Sequence, residues 1–204
     1  IRNIDIKLDD NISEEELIKE IEKMNNNEYI HGILIQLPLP KHINAENVLS
    51  KVSIEKDVDG FHFENMGKLA LNSDNEYFSP CTPKGCIELL KHYNISIEGK
   101  NIVVIGKSSI VGLPLSLMLM NHDATVTVCH IKTHDLKIHT KNADILFSAC
   151  GVPNLITKEF LKKDVIVIDI GINKIPLIGD EIANTQHKKY KIVGDVNFED
   201  VKDI

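Results

Sequence analysis

Tryptophan is absent from the 204 residues, and aromatic side chains make up only 5% of them. Stacking of bases on aromatic rings is therefore not a theme of this chain. An excess of positive charge is missing too: 23 Lys and Arg stand against 30 Asp and Glu, a formal net charge of −7. That balance excludes a general binder of phosphate backbones, and no nucleic-acid partner is expected. No apolar run reaches the roughly 18 residues of a membrane span. The opening Ile1-Arg2-Asn3-Ile4-Asp5 has neither the basic region nor the apolar core of a secretory signal. No membrane partner is expected either. Position 1 is not Met, so the gene need not start there. Cys81, Cys86, Cys129 and Cys150 form no C-x-x-C and no metal-like pairing with His. They read as reduced thiols in a cytoplasmic setting, with no metal centre. An organelle stays open if a transit segment precedes the given start.

What is present is ordinary for a soluble globule: 43% hydrophobic and 26% charged residues. A chain of this length buries about 70% of its unfolded surface without cross-links. It has room for one large domain or two small ones. Ser13-Glu14-Glu15-Glu16 is a capping box, and Leu17, Ile18, Ile21 and Met24 follow on one helical face. Asn25-Asn26-Asn27 ends that helix. Gly32–Leu37 is a short continuous apolar run, the pattern of a strand buried on both faces, stopped by Pro38 and Pro40. A helix is expected over Ala45–Lys51. Ser53–Pro80 lacks periodicity and reads as a long irregular, functional segment. Thr82-Pro83 reads as an N-cap followed by Pro at the first helical position, with Ile87, Leu90 and Tyr93 as the apolar face.

From Gly99 the rhythm becomes strand then helix. Strands are expected at Ile102–Ile105, Thr125–Cys129, Ile145–Phe147, Val165–Ile170 and near Ile192-Val193, and Leu113–Met120 is an all-round apolar helix. Alternation of this kind predicts a doubly wound parallel sheet with right-handed crossovers. The expected fold is two-domain α/β: a partial α/β domain over 1–95 and a Rossmann-like dinucleotide-binding domain over 96–204.

The strand at Ile102–Ile105 runs into Gly106-Lys107-Ser108-Ser109-Ile110-Val111-Gly112-Leu113-Pro114. Gly106 lets the chain turn off the strand, Gly112 permits close backbone approach, and Pro114 suits the first turn of a helix whose N-terminus attracts phosphate. The spacing is not G-x-G-x-x-G, so this loop alone leaves ligand binding and a plain strand–turn–helix open. The second strand ends Cys129-His130-Ile131-Lys132-Thr133, without the carboxylate that would bond a ribose 2′-hydroxyl. Lys107, His130 and Lys132 offer positive charge or donors instead, which predicts NADP, against the alternative of a solvated basic turn.

These stretches resemble one family, the bifunctional methylenetetrahydrofolate dehydrogenase/cyclohydrolases. The matching pieces are Gly32-Ile33-Leu34-Ile35-Gln36-Leu37-Pro38-Leu39-Pro40, Lys56-Asp57-Val58-Asp59-Gly60-Phe61-His62, Pro80-Cys81-Thr82-Pro83-Lys84-Gly85, the Val104–Gly112 turn, Thr125–His130, Asp169-Ile170-Gly171-Ile172-Asn173 and Val193-Gly194-Asp195-Val196. They occur in family order over nearly the whole chain. The resemblance implies oxidation of 5,10-methylenetetrahydrofolate to the methenyl cation with NADP, then hydrolysis to 10-formyltetrahydrofolate. It also implies a folate domain, a nucleotide domain and a homodimer.

Residue by residue, the resemblance makes Gln36 the partner that orients a catalytic lysine and Asp59 the carboxylate that grips the pterin edge. Asp57 is then a turn or salt-bridge residue. Thr82 and Ile172 match residues near the nicotinamide, while Gly106, Lys107, Ser108 and Ile131 belong to the cofactor site. Lys107 stands where many relatives carry Arg, and Ile131 where some carry Ser, which leaves NAD open beside NADP. Cys129 reads as a small strand residue, with no paired base to make it a nucleophile.

Two family parts are not matched. The family's catalytic Lys, four residues after a Tyr, lies well before the Gln36 strand, where this sequence offers only Ile1–Glu28; Lys19 and Lys23 read as a solvated helix face, and Lys56 belongs to another motif. The return helix that closes the family chain is also absent. The expectation is a longer gene product with both activities, of which these residues alone have neither at a useful rate. A truncated, non-catalytic dinucleotide-binding module is the alternative. An amino-acid or shikimate-type dehydrogenase is disfavoured by Gln36 and Asp59.

Overall fold

The structure, a computed structural model, describes residues 1–177 and 190–204. Among them the chain forms two compact units, Ile1–Cys81 and Thr82–Ile204.

In the first unit the capping box is present as read. The Ser13 hydroxyl accepts the Glu16 N–H at 3.2 Å, and the Glu16 carboxylate accepts the Ser13 N–H at 3.1 Å. Helix α1 (Glu14–Asn25) follows, with Leu17 and Ile21 buried. Helix α2 (Ala45–Leu49) is capped by Asn44. Glu14 of α1 also serves α2, accepting the Asn44 N–H at 2.6 Å and the Asn47 amide at 2.7 Å. At the other end of α1, the Asn25 amide donates to Lys51 O at 2.7 Å, and its oxygen accepts the Ser53 N–H at 2.9 Å. Between these clamps Leu17, Ile21, Ile33, Ile43, Val48 and Val52 form one core, each side chain adding about 1.5–3 kcal/mol by leaving water.

Gly32–Leu37 is not a strand buried on both faces. Only Ile33 makes a bridge, parallel to Asp57, and exposure alternates along the run, with Ile33 buried and Leu34 57% exposed. Composition hid a period of two: an all-apolar stretch looks buried on both sides whichever side packs. The segment Ser53–Pro80 is also less irregular than expected. It holds a 3-10 turn (Ile54–Lys56) and helix α3 (Phe63–Ala70), whose N-cap is His62, its ring nitrogen Nδ1 accepting the Glu64 N–H at 3.2 Å.

Lys56 is spent on structure. Its ammonium donates to the carbonyls of Met24, Asn25 and Asn27 at 3.1, 2.6 and 2.9 Å, closing the C-terminal end of α1. Lys56→Met is expected to lower stability by about 2 kcal/mol, since partly exposed carbonyls regain water. A urea-midpoint shift against the parent protein measures it.

The second unit opens with helix α4 (Cys81–His92), which begins before Thr82, so Thr82 is a helical residue and not the N-cap. Helix ends differ from sequence signals by this much because caps compete. The unit boundary at Cys81 and Thr82 places α4 with the sheet, whereas the sequence reading kept residues to 95 in the first unit. The sheet has four parallel strands, β1 (Asn101–Ile105), β2 (Thr125–Cys129), β3 (Ile145–Ser148) and β4 (Ile166–Asp169), in the order β2-β1-β3-β4. Helices α5 (Gly112–Asn121) and α6 (Leu136–Thr140) make the first two crossovers. The chain belongs to the α/β class. Val103, Ile105, Cys129, Leu146, Ile156 and Val196 form the core on one side of the sheet. The expected last strand does not join it: β5 (Asn173–Pro176) and β6 (Tyr190–Val193) pair antiparallel in a separate two-stranded sheet. Helix α7 (Phe198–Val201) follows.

Candidate active site

The strand order reverses at β1: β2 lies on one side of it, β3 and β4 on the other. In open α/β sheets the crevice outside the carboxyl ends of the strands at such a point is where ligands bind. Gly106 leaves β1 there, its N–H donating to Cys129 O at 2.8 Å, and the Ala149 N–H donates to Ile105 O at 2.8 Å. Gly106 has φ +113, a region closed to side chains, and a Cβ on it would overlap the Ala149 carbonyl. A Cβ on Gly112 would overlap the Gly106 carbonyl. The turn is folded tightly enough that only glycine fits at either end.

Ser108 organises what lies between. Its hydroxyl accepts the Val111 and Gly112 N–H groups at 3.2 and 3.3 Å, and its carbonyl accepts the Leu113 N–H at 2.9 Å. Lys107 and Ser108 are exposed, and Lys107 makes no ion pair among the described residues. The chain's single arginine, Arg2, lies in the first unit, so the cations of the sheet unit are lysines and histidines.

The turn after β2 is closed by Thr133, whose hydroxyl accepts the His130 N–H at 2.8 Å. His130 Nδ1 accepts the Lys132 N–H at 3.1 Å, which puts the proton of a neutral ring on Nε2. Ile131 at its tip is 98% exposed. Ile172 follows β4 and is 78% exposed. Gly106, Lys107, Ser108, Ile131 and Ile172 thus sit on loops at the same, carboxyl edge of one sheet. Thr82 is exposed near the start of α4, and no hydrogen bond among the described residues ties it to those loops.

In the first unit, the parallel bridge of Ile33 to Asp57 sends both segments on in the same direction, toward Gln36 and Asp59. Gln36 is exposed and its amide donates to Leu37 O at 3.0 Å, just before a cis Leu37–Pro38 bond. Asp57 is buried, and its carboxylate accepts the Phe61 N–H at 3.2 Å, the His62 N–H at 2.8 Å and the Asn65 amide at 2.8 Å. Of the turn and salt-bridge roles that the resemblance left to it, these contacts are those of a turn clamp. Asp59 is half-buried and makes no hydrogen bond to a described residue. Burial, and then the charge of Asp57, push its carboxyl above the usual range. Gly60, at φ +68, holds the turn against the backbone of residues 78–80, where a Cβ would come within 2.5 Å of the Phe78 carbonyl.

Burial pushes the Cys86 thiol up to about 11 and raises those of Cys129 and Cys150, which makes these three poor nucleophiles. Among the described residues no group of His, Cys, Asp and Glu is placed to hold a metal. No helix of the described residues is long and apolar enough to cross a membrane. Sequence reading missed the role of Asp169 and Asp195, which face each other across the loops after β4 and β6. Their one signal was a glycine within two residues of each carboxylate, at or just past a strand end.

The family model for "Tetrahydrofolate dehydrogenase/cyclohydrolase, NAD(P)-binding domain" matches residues 80–204, and that for the "catalytic domain" of the same name matches residues 1–59. The chain belongs to the tetrahydrofolate dehydrogenase/cyclohydrolase family. It is 48% identical over 203 residues to "Bifunctional protein FolD" of Aquifex aeolicus, covering 100% of this chain and 65% of that protein. It is 45% identical over 204 residues to "Bifunctional protein FolD 4, chloroplastic" of Arabidopsis thaliana, covering 100% of this chain and 55% of that protein. Among solved structures, the Trypanosoma brucei N5,N10-methylenetetrahydrofolate dehydrogenase-cyclohydrolase, complexed with NADP cofactor and inhibitor, superposes with a TM-score of 0.89 at 38% identity. That match covers 97% of this chain and 65% of the other. This member of the family therefore spans between about half and two thirds of the length of these relatives.

Proposed function

We propose that the protein oxidises 5,10-methylenetetrahydrofolate with NADP and hydrolyses the resulting methenyl cation to 10-formyltetrahydrofolate. The observation that carries this reading is the glycine cradle at the carboxyl end of β1. Side chains at Gly106 or Gly112 would strike the Ala149 or Gly106 carbonyl and force the turn open, and Lys107 and Ser108 stand beside it with no acid among them. A pyrophosphate fits such a cradle. Lys107, His130 and Lys132 are the groups suited to a ribose 2′-phosphate, with Lys107 acting as a point charge and not a bidentate fork. Ile131 would serve the ribose end of that site, and Ile172 and Thr82 the nicotinamide end. NADP, when bound, supplies the hydride acceptor. The chain's part in that step is to hold the folate still and keep water away, and positioning of this kind carries much of the rate.

Asp59 receives the pterin. Its carboxylate has acceptors to spare, and an amino-pyrimidine edge offers paired N–H donors in matching geometry. Gln36 orients the group that handles the proton in ring opening. Neither Lys56 nor Lys23 takes that part: Lys56 is bound to helix carbonyls, and Lys23 pairs with Glu20 at 2.5 Å. The reading is preferred to a non-catalytic module because half-buried Asp59 makes no hydrogen bond among the described residues, where a structural carboxylate would have a partner. A homodimer, working in the cytoplasm or an organelle, completes the proposal, and sedimentation of the purified protein gives its subunit number.

The test is formation of NADPH from methylenetetrahydrofolate and NADP by the protein expressed from its complete reading frame; no turnover, or equal turnover with NAD, overturns the corresponding half. Lys107→Gln is expected to weaken NADP binding about tenfold and leave NAD binding unchanged. Titration of both cofactors by NAD(P)H fluorescence measures it, and the NADP loss shrinks as salt is raised.

A further inference from the structure

Asp195 is fully buried, yet no step above uses it. One of its carboxylate oxygens accepts the Cys150 N–H at 2.8 Å, the Gly151 N–H at 3.2 Å, the Ser148 hydroxyl at 3.3 Å and the Cys150 thiol at 3.3 Å. The other accepts the Asn173 amide at 2.8 Å. A single side chain so joins the loop after β3 to the loop after β4. Asp169 answers from the opposite side. Its carboxylate accepts the N–H groups of Gly171, Asp195 and Val196, each at 3.0 Å. Each carboxylate also lies over the other's glycine: a Cβ on Gly171 would strike the Asp195 carboxylate, and one on Gly194 would strike that of Asp169. The two Asp-Gly pairs form a reciprocal clasp.

The clasp closes on functional ground. The loop at Ser148–Gly151 lies at the strand-order reversal, beside the carbonyl of Ala149 that walls the Gly106 turn. The other loop ends at Asn173, next to exposed Ile172. A buried carboxylate needs several donors to offset lost hydration, and this one has them. Burial acts to raise its titration point, but the Asn173 amide and the Cys150 and Gly151 groups outweigh that and hold it below the usual carboxylate range. The group is therefore a fixed charge-assisted anchor and not a proton donor or acceptor.

We propose that Asp195 is a positioning residue for hydride transfer: by tying the Cys150-Gly151 backbone to Asn173 it sets where Ile172 presents itself to the nicotinamide. The proposal rests on the dinucleotide-dependent reading above. Asp195 bonds no residue of the Gly106–Gly112 turn, which takes the phosphates, and the Ala149 N–H beside that turn is held separately by Ile105 O. Loss of Asp195 should then spare cofactor affinity and harm the chemistry.

The experiment compares the parent with Asp195→Asn, Asn173→Ala and the exchange variant Asp195→Asn/Asn173→Asp, all in the protein expressed from its complete reading frame. Asp195→Asn is expected to lower kcat for NADP reduction about 10- to 100-fold, the scale of a small misplacement of reacting groups. Its NADPH dissociation constant should change less than about threefold, since the phosphate turn is intact. Asn173→Ala leaves the Cys150 and Gly151 N–H donors on Asp195, stays folded and shows part of the kcat loss. The exchange variant returns much of the lost kcat, because an Asn oxygen still accepts the Cys150 and Gly151 N–H groups while its amide donates to the new carboxylate. A purely structural role predicts instead that affinity, kcat and melting temperature fall together and that the exchange restores nothing; that result, or an unchanged kcat, overturns the proposal. Hydrogen exchange separates this from failure of the functional reading. Peptides over 148–151 and 171–173 should exchange faster in Asp195→Asn and regain protection in the exchange variant, whether or not the parent reduces NADP. Unchanged exchange there also overturns it.

Discussion

Asp59→Asn lowers kcat/KM for methylenetetrahydrofolate by about 100-fold while the protein stays as stable as its parent. The loss follows from chemistry: an amide can accept one of the pterin's N–H groups but must turn a donor toward the other. Losing one charge-assisted bond and leaving a donor unmatched costs about 3 kcal/mol, and each 1.4 kcal/mol is a factor of ten. The stability half follows from the sign of the titration shift. Burial and the Asp57 charge raise the Asp59 carboxyl, so ionising it is harder in the folded protein than in the unfolded chain. The stability this group lends is present below the unfolded value and lost as pH rises through the folded one. At neutral pH the charge is therefore a burden that Asn removes, and thermal melting should show a Tm no lower than the parent's. The same shift gives a pH signature. Folate KM in the parent should begin to rise on acidification at a higher pH than an ordinary Asp would impose, and the Asn variant should lack that limb. A variant that melts early, or keeps its pH limb, removes Asp59 from the pterin site.

Gly106→Ala abolishes measurable NADP binding and lowers stability by about 2–4 kcal/mol. Two costs add at this position. A backbone at φ +113 is outside the range of L side chains, and the new methyl would overlap the Ala149 carbonyl on the neighbouring strand's exit. Strain of the first kind costs about 1–3 kcal/mol, and relief of the second pushes β1 and β3 apart where their ladder is still bonded. The turn can open to accept the methyl only by losing the shape that holds phosphate. Urea unfolding and cofactor titration read the two effects separately. Gly67→Ala is the matched control: it lies in α3, meets nothing within 4 Å and should be neutral or slightly stabilising.

The sheet unit was legible in the sequence because its signals are local. The strands at Ile102–Ile105 and Thr125–Cys129 are apolar runs closed by turn residues, and the Gly106–Gly112 turn lies between a strand and an apolar helix. The helix Phe63–Ala70 was not legible. Its start rests on a histidine cap and on Asp57, which gathers the N–H groups of Phe61 and His62 from a separate turn, and neither is a sequence signal for a helix. The antiparallel β5–β6 pair was missed because parallel alternation is read from rhythm, and rhythm cannot say which strand leaves the sheet. For the site, Gly106, Lys107, Ser108, Ile131 and Ile172 all fall at one sheet edge, as their places after successive strands require. Asp195 escaped because its meaning lies in contacts with Cys150 and Asn173, distant in sequence, that exist only after folding.

One consequence remains in the hydroxyl of Ser108. An alcohol oxygen has two lone pairs, and here Val111 and Gly112 take both. What is left to offer a visitor is the hydrogen alone. That hydroxyl can thus greet an oxyanion and has no lone pair left for an ammonium or a metal ion, so its own choice of charge is fixed by the fold of the turn.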